Sequence, residues 1–255
     1  MRRGLSTTGF TIVEVLIFLG VSGALLLSAL TLIGGQQNKT EFNQAYNDIQ
    51  KQIEGIINNV GNGYYPSSKK IECTASGNTI SISDGTAEQG TQKGCVFLGQ
   101  TLRSEPTDKQ TLIISTIAGL REDTAEKEVT LMAKASPMVA TQLDERIRLK
   151  NGLKLATIKE NDNVLIDGVG FFSSLGAEDA AHGGLESKAQ EVNYIGLPTG
   201  NVDASFAANY DANKSSTPLV LCFDGVVSNL RAKLWIGENS KGAVITTKID
   251  AGNCS

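Results

Sequence analysis

The chain has 255 residues, enough for one or two domains, and 40% of them are hydrophobic, which excludes a protein that is disordered throughout. Its formal net charge is −4, so it lacks the positive charge of proteins whose main activity is binding nucleic acid through phosphates. Its single histidine, His182, excludes most histidine-based metal sites and any catalytic pair of histidines.

An apolar segment runs from Phe10 to Ile33, after a short leader that carries Arg2 and Arg3. As a helix it would be about 36 Å long at roughly 1.5 Å per residue, enough to cross a bilayer core of about 30 Å. Because the basic pair precedes the segment, the N-terminus is expected in the cytoplasm and the rest of the chain outside. The segment is too long for a cleaved signal peptide and no A-x-A-like site follows it, so we expect it to be retained.

The only charged residue in this segment is Glu14. A carboxylate in a membrane helix costs roughly 2.5–3.5 kcal/mol even on the milder scales, and a plain signal anchor gains nothing from it. A positive partner would offset that cost, and the nearest candidate is the α-amino group of a neighbouring copy of the same helix. Such an amine would exist at Phe10 if the chain were cut after Gly9.

Six residues link the leader to the apolar segment: Gly9-Phe10-Thr11-Ile12-Val13-Glu14. With the basic leader and the apolar continuation, this hexapeptide resembles the processing motif of the type IV pilin and pseudopilin family. The resemblance covers about the first 33 residues. It implies that a prepilin peptidase cuts between Gly9 and Phe10, that the new N-terminal Phe10 is methylated, and that Glu14 pairs with the amine of an adjacent subunit. Many family members carry a proline in this segment, and this chain has none there.

Beyond Ile33 the sequence predicts that a helix continues in amphipathic form. We expect Gly34-Gly35 to interrupt it, since each glycine costs roughly 1 kcal/mol relative to alanine. The next residues are polar apart from one stripe of helical spacing, which predicts packing against a core: Phe42, Tyr46, Ile49, Ile53, Ile56, Ile57 and Val60. Gly61-Asn62-Gly63, followed by Pro66, predicts the end of the helix. In pilin-like proteins the outer half of the long N-terminal helix packs against a sheet in this way.

The remainder of the chain predicts a strand-rich head. The predicted antiparallel strands are residues 80–83, 95–98, 112–117, 128–132, 146–149, 153–155, 219–223, 233–236 and 243–247. Asn151-Gly152 predicts a hairpin, and residues 173–190 and 200–218 predict surface loops. The predicted fold class is therefore α+β and type IV pilin-like, with a long N-terminal helix on an antiparallel β-sheet head. The expected organisation is a leader (1–9), a transmembrane and assembly helix (10–33), an amphipathic helix (34–62) and an extracellular head (63–255).

The four cysteines predict disulfides, because the head is expected outside the membrane and none of them forms a C-x-x-C pair. Three connectivities are possible. We favour Cys73–Cys95 and Cys222–Cys254, since each pair brackets its own hairpin-rich segment, and free buried thiols are the alternative. The second bridge would tie the C-terminal tail to a strand, and pilins often have such an exposed C-terminal loop that contacts other subunits or surfaces.

Patterns for catalysis are weak, and we predict no enzymatic activity, no cofactor and no metal site. His182 lies in a Gly/Ala-rich stretch without a nucleophile pattern. Gly168-Val169-Gly170 lacks the rest of a dinucleotide-binding fingerprint, and the chain has no phosphate-binding GxxxxGK[ST] loop, so it is not a motor.

These observations predict a structural subunit of a type IV pilus-like surface filament. Before assembly it would be a single-pass protein of the cytoplasmic membrane, and afterwards part of an extracellular filament. The resemblance implies as partners the prepilin peptidase, copies of itself and other pilins, and an assembly platform membrane protein with its ATPase; no nucleic acid is predicted. The alternatives are a type II secretion pseudopilin, a DNA-uptake pilin, and a signal-anchored extracellular protein that does not polymerise.

Overall fold

The computed structural model of the chain describes residues 11–63, 71–76, 79–85, 94–122, 134–160, 164–173, 192–197, 217–226, 230–237 and 245–249. Within these ranges, one long helix precedes twelve strands, and all strand pairings are antiparallel. The chain is therefore α+β, as the sequence predicts. The predicted strand 128–132, the larger part of both predicted loops and His182 lie outside the described residues.

Helix α1 extends from Ile12 to Gly61 as 50 residues, which corresponds to about 75 Å. It continues through Gly34-Gly35, so the expected interruption is wrong. A cost of about 1 kcal/mol per glycine is small for a helix whose hydrogen-bond ladder is established on both sides. The helix ends where the sequence indicates: the N–H of Asn62 donates to the Asn58 carbonyl at 2.9 Å, and Gly63 follows with a φ of 59°.

The two halves of α1 have opposite surroundings. In the second half, the predicted stripe is buried from Phe42 to Val60, with Ile57 partly buried against the same core. In the first half, the large apolar side chains from Ile12 to Leu30 are exposed. The helix is thus embedded in the head at one end and projects from it at the other.

The strands in chain order are β1 (Ile71–Ser76), β2 (Thr79–Asp84), β3 (Cys95–Ser104), β4 (Thr111–Leu120), β5 (Met138–Arg148), β6 (Leu153–Glu160), β7 (Val164–Ile166), β8 (Gly168–Ser173), β9 (Val192–Leu197), β10 (Leu219–Gly225), β11 (Arg231–Ile236) and β12 (Ile245–Ile249). Among these strands, sheet 1 has the order β12-β11-β10-β6-β7, and sheet 2 has the order β5-β4-β3-β8-β9. β1 and β2 form a separate hairpin. The head therefore contains two larger sheets where the sequence predicts one.

One apolar core joins α1 to both sheets. Ile53 of α1, Leu102 of β3 and Leu221 of β10 are all fully buried in the same cluster. Tyr46 packs edge-on against Phe223 of β10, with ring centroids 6.0 Å apart. The apolar stripe of the helix thus holds the two sheets together.

The Asn151-Gly152 turn forms, but it does not close a hairpin. Both residues have the positive φ of such turns, 52° and 68°, yet β5 enters sheet 2 and β6 enters sheet 1. The turn instead docks on α1: Asn151 Nδ2 donates to the Glu41 carbonyl at 3.0 Å. Lys150 pairs with Asp48 at 3.2 Å. These contacts lie where the buried half of the helix begins.

The predicted Cys73–Cys95 disulfide is present and links β1 to the start of β3, with Cα atoms 6.0 Å apart. Cys222 on β10 is also disulfide-bonded. Cys254 lies outside the described residues, so the Cys222–Cys254 pairing stays a prediction.

Candidate functional site

The N-terminal end of α1 is organised around Thr11 and Glu14. Thr11 is the N-cap, and its N–H and its hydroxyl both donate to Oε2 of Glu14 at 3.0 Å. In return, the N–H of Glu14 lies 3.3 Å from the Thr11 hydroxyl. This reciprocal arrangement is a capping box, which satisfies backbone donors that the first turn of a helix leaves without partners.

The capping box leaves the Glu14 carboxylate able to accept more. Both hydrogen bonds from Thr11 end on Oε2, whereas an ionised carboxylate offers about four lone-pair sites. Glu14 is exposed on the helix surface. A cationic donor approaching from outside the chain would therefore meet an oriented acid rather than a freely rotating one.

The part played by Thr11 was not predicted from the sequence. The pattern Thr11-x-x-Glu14 is the signature of a capping box and was present in the sequence. Gly9 and Phe10, the predicted cleavage residues, lie outside the described residues. Phe10 directly precedes the N-cap, so a cut after Gly9 would create an amine one residue before Thr11.

The apolar half of α1 carries large side chains on all of its faces. Phe18 is 71% exposed and Leu27 is 67% exposed, and they lie among ten similar residues: Ile12, Val13, Val15, Leu16, Ile17, Leu19, Val21, Leu25, Leu26 and Leu30. A helix that is apolar all round belongs in a membrane or among other protein groups, not in water. Residues Ile12–Leu30 are long and apolar enough to cross a membrane, as a signal sequence also is.

One polar side chain in this half is satisfied within the helix itself. The Ser28 hydroxyl donates to the Ala24 carbonyl at 2.9 Å. A Cβ added at Gly20 or Gly23 would meet nothing within 4 Å. Apart from Glu14, the segment therefore carries little that opposes transfer into an apolar environment.

The described part of the head contains no group of three or more His, Cys, Asp or Glu side chains placed to hold a metal ion. Gly168, one of the glycines in the weak dinucleotide-like motif, has a packing role instead. A Cβ at this position would lie 2.9 Å from the Leu102 carbonyl on β3. The glycine thus permits close approach of β8 to β3.

Comparison with known proteins assigns no family to this chain. No protein-family model, no curated protein and no solved structure matches it. The likeness to type IV prepilins therefore rests on the residues from Gly9 to Glu14 and on the apolar helix that follows them.

Proposed function

We propose that the chain is a structural subunit of a type IV pilus-like surface filament. In this proposal, prepilin peptidase removes residues 1–9, Phe10 is methylated, and the subunits polymerise through the N-terminal half of α1. The head lies outside the cytoplasmic membrane before assembly and on the filament surface afterwards.

The observation that carries the proposal is the division of α1 into a buried half and an exposed apolar half. Within one 50-residue helix, Ile53 is fully buried by the head while Phe18 is 71% exposed. Burying apolar surface stabilises by roughly 25 cal/mol per Å², so the exposed apolar half of α1 gains tens of kcal/mol when it enters lipid. Leaving the membrane then requires an equivalent apolar environment, and a bundle of identical helices provides one.

The orientation of Glu14 supports a specific contact within such a bundle. Its carboxylate is held at the start of the helix by Thr11. An α-amino group at Phe10 of a neighbouring copy would give a charge-assisted hydrogen bond in a low-dielectric environment, where such bonds are strong. Since each chain carries one such acid and one such amine, the pairing would set the register between successive subunits.

The test of the processing step is the mass of the chain purified from the surface and membrane fractions of its own cells. We expect the wild-type chain to begin at methylated Phe10, with the nine-residue leader removed. Gly9→Val should retain the leader, because the side chain at the cut position would obstruct the peptidase. Gly4→Val is the matched control and should be processed like the wild type.

Two results would overturn the proposal. One is a mature wild-type chain that still begins at Met1, which would favour a signal-anchored protein that does not polymerise. The other is a correctly processed chain that never occurs in filaments by electron microscopy of sheared surface material.

A further inference from the structure

The β1–β2 hairpin has one apolar and one polar face. The inward side chains Cys73, Ile80 and Ile82 are buried, and Cys73 stands directly opposite Ile82 in the strand register. The alternate positions, Glu72 and Ser81 among them, are exposed. The hairpin therefore has a face built to lie on another surface.

That surface is a strip on the end of sheet 2. The hairpin's apolar face forms a cluster with Cys95 at the start of β3 and with side chains of β4 and β5: Ala118, Leu120, Ala140 and Leu143. None of the residues in this cluster belongs to the main core around α1, as far as the described residues show. The hairpin is thus seated on a small core of its own.

Within the described residues, the hairpin rests on this apolar seat without strand pairing to sheet 2. Among the described strands, β1 and β2 pair with each other and with neither larger sheet. An isolated two-stranded hairpin is marginally stable in water, so its structure depends on this seat. The Cys73–Cys95 bridge adds a covalent link between β1 and the start of β3.

We propose that the Cys73–Cys95 disulfide is a redox-sensitive clip for the β1–β2 hairpin. In the oxidised chain the clip keeps the hairpin on sheet 2. In the reduced chain the hairpin separates as a unit and uncovers the strip on β4 and β5, while the core around α1 remains folded. This inference depends on the fold alone and does not require the proposed function.

The chemical step is a thiol–disulfide exchange with an external dithiol. The reductant supplies two electrons and two protons, the Sγ–Sγ bond breaks, Cys73 and Cys95 become thiols, and the dithiol closes to its own disulfide. Because such bridges persist only in oxidising compartments, a seated hairpin would mark a head that has reached one.

Hydrogen exchange of the full chain in detergent micelles tests the clip. The variant Cys73→Ala with Cys95→Ala should exchange about ten-fold faster than wild type in residues 71–84 and faster in residues 118–120 and 138–143. Residues 49–60 of α1 and 219–225 of β10 should stay within about two-fold of wild type. The matched control is Cys222→Ala with Cys254→Ala, which should leave the hairpin protected.

Reduction of the folded wild-type chain with dithiothreitol provides a second measurement that does not depend on how the variant folds. It should increase exchange in the same three regions, and reoxidation should restore protection. Unchanged exchange in residues 71–84 would show that packing alone holds the hairpin. Loss of protection throughout α1 would show that the bridge supports the whole head. Either result would overturn the proposal.

Discussion

At the start of α1, one residue both caps the helix and holds the acid. Thr11 donates through its backbone N–H and its hydroxyl to the same oxygen of Glu14, which orients the carboxylate. An N-cap of this kind contributes about 1 kcal/mol to helix stability. The same contacts would reduce the entropy lost when Glu14 pairs with an amine, because the carboxylate is already oriented.

Replacing Glu14 with alanine would test the proposed pairing separately from the proposed cleavage. We expect Glu14→Ala to be cleaved normally but to give at least about ten-fold fewer filaments than wild type, since a charge-assisted hydrogen bond is worth about 1.5–3 kcal/mol. Filament yield in sheared surface fractions, normalised to the total mature chain, measures the effect. Glu54→Ala is the control: Glu54 accepts a hydrogen bond from Gln50 in the buried half of α1, and its loss should not change the yield. A normal yield from Glu14→Ala would exclude the pairing role.

Patterns of short range are readable in the sequence at this scale, but not all of them are predicted. The isolated acid in the apolar segment is predicted, whereas the capping box is not, although its T-x-x-E spacing needs contacts only three residues apart. The partner proposed for Glu14 comes from another chain, so no property of a single sequence places it. The Cys73–Cys95 pair was chosen correctly because the two cysteines bracket one hairpin-rich segment.

At the scale of elements, the second half of α1 is held in the head by buried side chains and by a hydrogen bond to a strand. The Tyr46 hydroxyl donates to the Lys233 carbonyl on β11 at 2.8 Å, and burial of the side chain raises its pKa. Phe42 stacks on Tyr46 with ring planes 2° apart. Ile53 is fully buried about two turns further along. These contacts explain why the helix stays regular beyond the glycine pair.

Substitutions at Ile53 and Gly55 of this helix should have opposite effects. Ile53→Ala leaves a cavity between the sheets and should lower the free energy of unfolding by about 2–5 kcal/mol. Gly55→Ala should raise it by up to about 1 kcal/mol, since an added Cβ meets nothing within 4 Å and alanine favours the helix. Denaturant unfolding of the full chain in micelles, followed by tryptophan fluorescence from Trp235, compares them. Equal stability of Ile53→Ala and wild type would contradict the packing of α1 between the sheets.

The strands show where pattern-based prediction fails. β4 and β10 were predicted because apolar and β-branched residues dominate them, as is usual for strands covered on both faces. β8 was missed, although all six residues are buried, because its glycines resemble a loop. β7 has three residues and gives almost no signal, and β1 and β9 were missed as well. The hairpin expected at Asn151 failed for a different reason: the turn is local, but the sheet each strand joins depends on distant partners.

At the scale of the whole molecule, the chain is a folded head on a projecting apolar rod. The periodic stripe predicts which half of α1 is buried by the head, and the long apolar run from Phe10 to Ile33 predicts which half is not. The division of the head into two sheets could not be predicted, because strand order is set by contacts between residues far apart in sequence. The apolar side chains are therefore shielded from water in the head, whereas those of the N-terminal half of α1 need a further apolar environment.

The apolar segment Ile12–Leu30 should tolerate no charged side chain at its centre, whether lipid or neighbouring helices surround it. Val21→Asp places a carboxylate midway along Ile12–Leu30, at a cost of about 3–4 kcal/mol in a bilayer, which corresponds to at least a hundred-fold change in partitioning. We expect the variant to be lost from carbonate-washed membranes and from filaments. Gln44→Asp, an exposed position on the embedded half of the same helix, should behave like wild type. If Val21→Asp were retained in washed membranes and incorporated into filaments as efficiently as Gln44→Asp, then neither lipid nor neighbouring helices would surround this half of α1. The exposed apolar surface would then need another explanation.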